Sequence, residues 1–193
     1  IDGHKLTGMQ HKYRETVLFF PSQGQTCHAY CSFCFRWPQF VGMDEWKFAM
    51  KETELLVKYL QKHTEVTDLL FTGGDPMIMK NKIFATYIDA LIEADIPNLQ
   101  TIRIGTKALG YWPYKFLTED DAEDTLRTFE KIVKSGKNLA IMAHFNHPAE
   151  LSTDAVKQAI AKVRATGAQI RTQSPLMKNI NADADIWATM WRQ

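Results

Sequence analysis

Every cysteine in the chain lies between residues 27 and 34, as Cys27-His-Ala-Tyr-Cys31-Ser-Phe-Cys34. Thiolates at C-x3-C-x2-C offsets can wrap one soft metal centre within a short loop. An odd number of cysteines, all in one window, does not read as a secreted disulfide framework. It reads as a metal or cluster site in a reducing compartment, hence a cytoplasmic protein. Four-coordinate zinc would need a fourth ligand. His28 adjoins Cys27 and is poorly placed for that, so zinc would require a distant histidine. A cubane cluster has four irons, and three thiolates leave one iron open to a ligand. The bland alternative is three buried free cysteines. Their polar neighbours and tight spacing are unlike a core segment.

Other residues with chemical capacity recur at intervals. Thr72-Gly73-Gly74-Asp75-Pro76 joins paired glycines to a carboxylate. Paired glycines let backbone approach a ligand closely, and a carboxylate pairs with an ammonium group. Alone, the same run is a strand-to-helix turn. Gly105-Thr106-Lys107, His144-Phe145-Asn146-His147 and Gln173 supply groups that could hydrogen-bond a ribose or a carboxylate. The Arg36 guanidinium, two residues past the last cysteine, suits bidentate carboxylate binding.

These clusters must be positioned by regular elements. Apolar runs predict strands at Thr16–Phe20, Asp68–Phe71, Thr101–Gly105, Leu139–Ala143 and Gln169–Thr172. Helical periodicity predicts helices near Asp44–His63, Asn81–Ala94 and Ala122–Ser135. A fourth follows a Ser152 cap, and a last runs near Asp183–Arg192. Five βα units in series imply an α/β fold with a parallel sheet buried on both faces. The sheet is either barrel-like or open and doubly wound, and in both the ligand site lies at the carboxyl ends of the strands. Each cluster named above follows one of the five strands, which points to one common site.

The 193 residues suffice for one domain, or one and a fraction. With 23 basic and 22 acidic side chains the net charge is +1, which gives no electrostatic case for nucleic acid or membrane as a partner. No apolar run approaches the roughly 18 residues of a membrane span. The opening IDGHKLTGMQ lacks both a signal-peptide core and an initiator Met, so a trimmed N-terminus is expected.

The cysteine spacing, with Phe33 just before the third Cys, resembles the radical S-adenosylmethionine (SAM) superfamily. The likeness extends to the lysine 2,3-aminomutase family along most of the chain. Gly8-Met9-Gln10-His11-Lys12-Tyr13 is similar to its G-L-x-H-R-Y segment, and Leu70–Pro76 to its L-T-G-G-D-P element. Ile102–Lys107 follows I-R-I-x-T-R, and His144–Pro148 matches H-F-N-H-P. Gln173–Asn181 resembles Q-x-x-L-L-K-G-I-N. The chain departs from the family at T-R-R-R, which reads Phe35-Arg36-Trp37-Pro38 here.

The resemblance implies a partial (β/α) barrel of the radical SAM type. It would comprise residues 16–193 behind a lead-in of residues 1–15, with the sixth core strand missing. It implies a [4Fe-4S] cluster on Cys27, Cys31 and Cys34, whose open iron is chelated by SAM. SAM contacts are expected from Phe33, Gly73, Gly74, Asp75, Thr106, His144, Asn146 and Gln173. Arg36 would grip the substrate carboxylate, while Arg103 pairs within the barrel. Phe33, Phe35 and Trp37 would help exclude water. The implied reaction is a 1,2-amino shift on a small-molecule amino acid, fed by a flavodoxin- or ferredoxin-type reductant in a homo-oligomer. Pyridoxal phosphate is used by the family, but its lysine lies in a C-terminal segment beyond Gln193. The chain is therefore expected to be a fragment. The alternatives are a family member acting on another substrate or on a protein lysine without pyridoxal phosphate, and a non-enzymatic iron–sulfur or zinc module.

Overall fold

The apolar runs assemble into one six-stranded sheet whose strand order is the order in the chain. The computed structural model describes residues 3, 6–39 and 50–193. Strands β1 (Met9–Tyr13) and β2 (Thr16–Phe19) form an antiparallel hairpin. From β2 onward every pairing is parallel: β3 (Asp68–Phe71), β4 (Thr101–Thr106), β5 (Asn138–His144) and β6 (Gln169–Gln173). A doubly wound sheet reverses its strand order at a switch point. This one does not, so the choice left open by the strand pattern falls to an open, partial β/α barrel. Strand β1 falls within the expected lead-in, because MQHKY has no apolar alternation to mark a strand.

Of the parallel strands, β5 is buried on both faces over Leu139–Ile141, while β2 to β4 are fully buried on one face only. Strands β2 and β3 alternate half-buried and buried positions, as does β4 through its whole length. The buried set, Val17, Phe19, Leu69, Phe71, Ile102 and Ile104, joins the main core. Helices α1 (Thr53–Lys62), α2 (Asn81–Glu93), α4 (Ala122–Lys134) and α5 (Asp154–Ala165) pack successively against one another. Phe84, Tyr87, Phe129 and Ile132 of these helices lie in that same core. The alternate set includes Leu18, Leu70 and Gly105, which face a cavity. Arg103 Nε donates to Asp68 Oδ1 at 2.8 Å, tying β4 to β3 within the sheet.

Helix ends follow local chemistry. Helix α5 is capped by Thr153, whose Oγ1 accepts from the Val156 amide, and not by Ser152. The Ser152 hydroxyl donates back to the Ala149 carbonyl. Gly136, at φ +84°, follows the end of α4. Helix α6 (Ala184–Arg192) starts at Asp183, whose carboxylate accepts from the Asp185 and Ile186 amides. The helix expected from Asp44 begins at Thr53, and residues 40–49 lie outside the described residues. Short helix α3 (Ala108–Tyr111) and the 3-10 turns after the strands were not foreseen.

Candidate active site

The cysteine loop leaves the carboxyl end of β2 and is seated against the carboxyl end of β3. The Thr72 amide donates to the Phe19 carbonyl at 2.9 Å, and the Asp75 amide to the Thr26 carbonyl at 3.0 Å. Gly74 makes this approach possible, since a Cβ there would collide with the Thr26 backbone. Gly73 has φ +132°, and a Cβ would run into the Gln25 side chain. The Gln25 amide group is held in turn by the Pro21 and Thr72 carbonyls. Gly74 is thus required by the docking of the loop onto the sheet, and Gly73 by its backbone conformation.

Above the seated loop lies a cavity of about 640 Å3. Cys27, Cys31 and Cys34 all line it, together with Gly73, Gly74, Thr106, Lys107, His144 and Gln173. It therefore gathers residues from the carboxyl ends of all five parallel strands. Tyr30, at φ +42°, bends the chain between the first two cysteines, and the Cys34 amide donates to the Cys31 carbonyl. Burial pushes the Cys27 thiol above its ordinary range, against hydrogen bonds from the Ala29 and Tyr30 amides. Burial also raises Cys31, with the Lys107 cation pulling it down and Cys27 and Cys34 pushing it up. All three sulfur-bearing residues line the same cavity. Among the described residues they do not form a set with all ligand atoms within 4.8 Å of one another.

Asp75 is 1% exposed and turned inward. Its Oδ1 accepts from the Met77 amide at 3.0 Å and from Thr106 Oγ1 at 2.6 Å. Its Oδ2 accepts from the Lys107 amide at 2.9 Å. Burial raises its carboxyl above the usual range, opposed by these bonds. The carboxylate braces the ends of β3 and β4 and also lines the cavity. His28 stacks on Tyr111 with ring centres 5.1 Å apart; its nitrogens have no hydrogen-bond partner, and Nε2 lies 3.9 Å from Asp75 Oδ2.

His144 and Phe33 stack face to face, 5.3 Å between centres, and form one wall. His144 Nε2 donates to Asn146 Oδ1 at 2.7 Å, and Ser174 Oγ donates to the same oxygen. Asn146 is 9% exposed and does not line the cavity; it positions His144. The Arg36 guanidinium lies 4.4 Å over the Phe20 ring and lines the cavity, and burial lowers its pKa. Gln173 stands at the end of edge strand β6. Phe35 and Trp37, expected to exclude water, line the cavity but are 84% and 53% exposed.

No protein-family profile matches the chain. Individual relatives do. An Aquifex aeolicus protein given the provisional name L-lysine 2,3-aminomutase is 35% identical over 186 residues, covering 96% of this chain and 47% of that protein. The L-lysine 2,3-aminomutase of Haemophilus influenzae is 32% identical over 96% of this chain and 50% of its own length. That of Fusobacterium nucleatum is 27% identical over 91% of this chain and 38% of its own length. The chain belongs with the lysine 2,3-aminomutase-like proteins. It spans about half the length of the curated relatives it matches.

Two site features of this lysine 2,3-aminomutase-like chain escaped sequence reasoning. Glu150 accepts from Lys107 Nζ at 2.7 Å and from the Asn146 amide at 2.6 Å, so it links the ends of β4 and β5. Asn181 is fully buried and knots the segment after β6, bonding the Asn146 carbonyl, Ser174, the Pro175 carbonyl and the Met177 amide. Glu150 sits just past the H-F-N-H-P run, and that adjacency was its only signal. Asn181 closes the last matched run.

Proposed function

We propose that this chain is the SAM-binding part of a radical SAM enzyme of the lysine 2,3-aminomutase type, catalysing a 1,2-amino shift on an amino acid. One observation carries the reading: three thiols open onto a single cavity at the carboxyl ends of five parallel strands, beside a diglycine turn that the thiol loop itself requires. A single tetrahedral zinc ion, with Zn–S near 2.3 Å, would hold thiolates about 3.8 Å apart. The loop supplies three thiols, one short of a closed tetrahedral zinc site, and so favours a cluster with one open iron.

Cys27, Cys31 and Cys34 would hold a [4Fe-4S] cluster. When bound, such a cluster supplies the electron for reductive cleavage of the SAM sulfonium. The half-buried thiols must lose their protons to act as ligands, and the nearby Lys107 cation favours the anionic state of Cys31. Gly73 and Gly74 offer backbone to the methionine end of SAM. The Phe33–His144 wall and the Leu18 and Leu70 floor keep apolar surface and few competing protons near the reacting atoms. Neutral His144, with its Nε2 proton given to Asn146, keeps Nδ1 as an acceptor for a ribose hydroxyl. Arg36, half-buried over Phe20, would bind the substrate carboxylate. Thr106 acts through the Asp75 brace, and Gln173 lies where it could reach the SAM carboxylate.

No lysine of this chain is assigned to pyridoxal phosphate. The three thiols suit a reducing compartment such as the cytoplasm, with an electron donor of the flavodoxin or ferredoxin type. No helix among the described residues is long and apolar enough to cross a membrane. The test is anaerobic reconstitution of the complete protein with iron and sulfide, then incubation with SAM, dithionite and a panel of amino acids. The expected result is 5′-deoxyadenosine and a β-amino acid product, both lost in Cys31→Ala. Undiminished SAM cleavage by Cys31→Ala would refute the reading.

A further inference from the structure

A second cluster of ligating side chains lies at the far end of the sheet, toward the amino ends of the parallel strands. His11 comes from β1, His63 follows the last residue of α1, and Glu65 sits in the turn before β3. Their ligand atoms all lie within 4.8 Å of one another. Three separate segments converge here, so the grouping is a product of the fold.

The ring orientations are already set. His11 Nε2 lies 3.0 Å from the Arg14 carbonyl, which only accepts, so Nε2 carries the proton. Nδ1 of His11 is then a lone pair, and it accepts from Tyr59 Oη at 2.8 Å. A ligating histidine ordinarily donates its other N–H to a carbonyl or carboxylate, which fixes tautomer and ring plane. His63 Nδ1 donates to Glu65 Oε1 at 3.0 Å. The His63 ring is clamped by Tyr59, stacked 4.1 Å away, and by the edge-on His11 ring at 5.6 Å. Two imidazoles and one carboxylate favour zinc and neighbouring transition metals over calcium or magnesium. Three protein ligands leave a fourth tetrahedral position for water. Glu65 is exposed and His11 and His63 are partly so, which gives an ion a path from solvent.

We propose that His11, His63 and Glu65 bind one divalent transition-metal ion, zinc being the representative probe, which clamps edge strand β1 to the connection between α1 and β3. Among the described residues β1 pairs within the sheet with β2 alone, and the ion would replace the His11–Tyr59 hydrogen bond to α1 with a coordinate tie to the α1–β3 connection. The site is separate from the cysteine cavity and does not depend on its chemistry. Binding displaces the Tyr59 hydroxyl from His11 Nδ1 and the shared proton between His63 and Glu65.

The experiment compares the full chain bearing Cys27→Ser, Cys31→Ser and Cys34→Ser with the same protein further bearing His63→Gln, Glu65→Gln or His11→Gln. Replacing the thiols removes their competition for zinc, and alkylated wild-type protein serves if the serine variant does not fold. Zinc retained after equilibrium dialysis is read as a difference between parent and variants, alongside the zinc-dependent shift in thermal midpoint. The expected result is one fewer zinc per chain in each variant, or at least about tenfold weaker binding, and loss of the zinc-dependent shift. His63→Gln is the informative variant if His11→Gln disturbs β1, because residue 63 lies at a helix end. Equal zinc content and affinity in parent and variants, with circular dichroism unchanged, would overturn the proposal. So would a parent that binds no zinc at micromolar concentration.

Discussion

The Asp75 amide hydrogen-bonds the Thr26 carbonyl, and that bond joins the cysteine loop to the end of β3. Gly74 stands between them with no room for a Cβ. Gly74→Ala forces the loop off the sheet, an overpacking cost of about 1–3 kcal/mol. The sulfurs are displaced with it, so iron retained per chain after anaerobic reconstitution should fall severalfold. Gly136→Ala is the control, being strained at φ +84° with open space around it. It should lower the thermal midpoint and leave iron content unchanged. Equal iron in the two variants would show that the diglycine turn does not seat the loop.

Asp75 is the second point of attachment. Both carboxylate oxygens accept, and Asp75→Asn must turn a donor NH2 toward either the Lys107 amide or the Met77 and Thr106 donors. One buried donor then loses its acceptor, at about 1–3 kcal/mol. Urea denaturation should show a lower midpoint with an unchanged slope. If instead the carboxylate served an ammonium ligand, the variant would keep its stability and lose only SAM affinity.

Much of this architecture was readable in the chain, and the exceptions have physical reasons. TVLF, DLLF and TIRIGT carry strong apolar signals, and their strands fall within a residue of expectation. Strand β1 has one buried residue in five, and its place is set by pairing with β2, which no local pattern encodes. Ser152 and Thr153 are both good capping residues, and only the backbone turn at Pro148–Leu151 decides between them. The cysteines and the strand-end clusters could be read because chemistry demands particular residue types. Asp75 was legible as a site residue, but its bonds to Thr106 and Lys107 were not, since they come from the end of another strand. Glu150 and Asn181 combine loop bonds a few residues away with one long-range bond each, to Lys107 and to the Asn146 carbonyl, and no local pattern encodes that combination.

Asn181 tests the segment that follows β6. Its amide group donates to the Asn146 carbonyl, Ser174 Oγ and the Pro175 carbonyl, and its Oδ1 accepts from the Met177 amide at 2.7 Å. Asn181→Ala strands these groups in a buried setting, a loss of about 2–3 kcal/mol. The loss is local, so limited proteolysis should cut between residues 174 and 182 much faster than in the parent. His144 loses an indirect support through Asn146 and Ser174, and SAM binding should weaken. Unchanged proteolysis would mean that the knot is dispensable.

His144 sets a pH dependence whose sign follows from its surroundings. Burial lowers its pKa below the ordinary 6.5, and the Lys107 cation adds to the effect, while the Asn146 hydrogen bond opposes it. The unfolded chain therefore takes up this proton at a higher pH than the folded one. Above 6.5 neither state is protonated at His144 and its contribution to stability is complete. As pH falls from 6.5 through the lower folded value, the unfolded state gains the proton first and that contribution is lost. Denaturant midpoints should decline over this window in the parent, and the decline should be shallower in His144→Gln, which keeps a donor for Asn146 but does not titrate. Parallel profiles for the two proteins would place the dependence elsewhere. SAM binding adds a second readout: acid conditions fill Nδ1 with a proton and remove the acceptor proposed for a ribose hydroxyl, so affinity should drop in the same direction in the parent and stay flat in the variant.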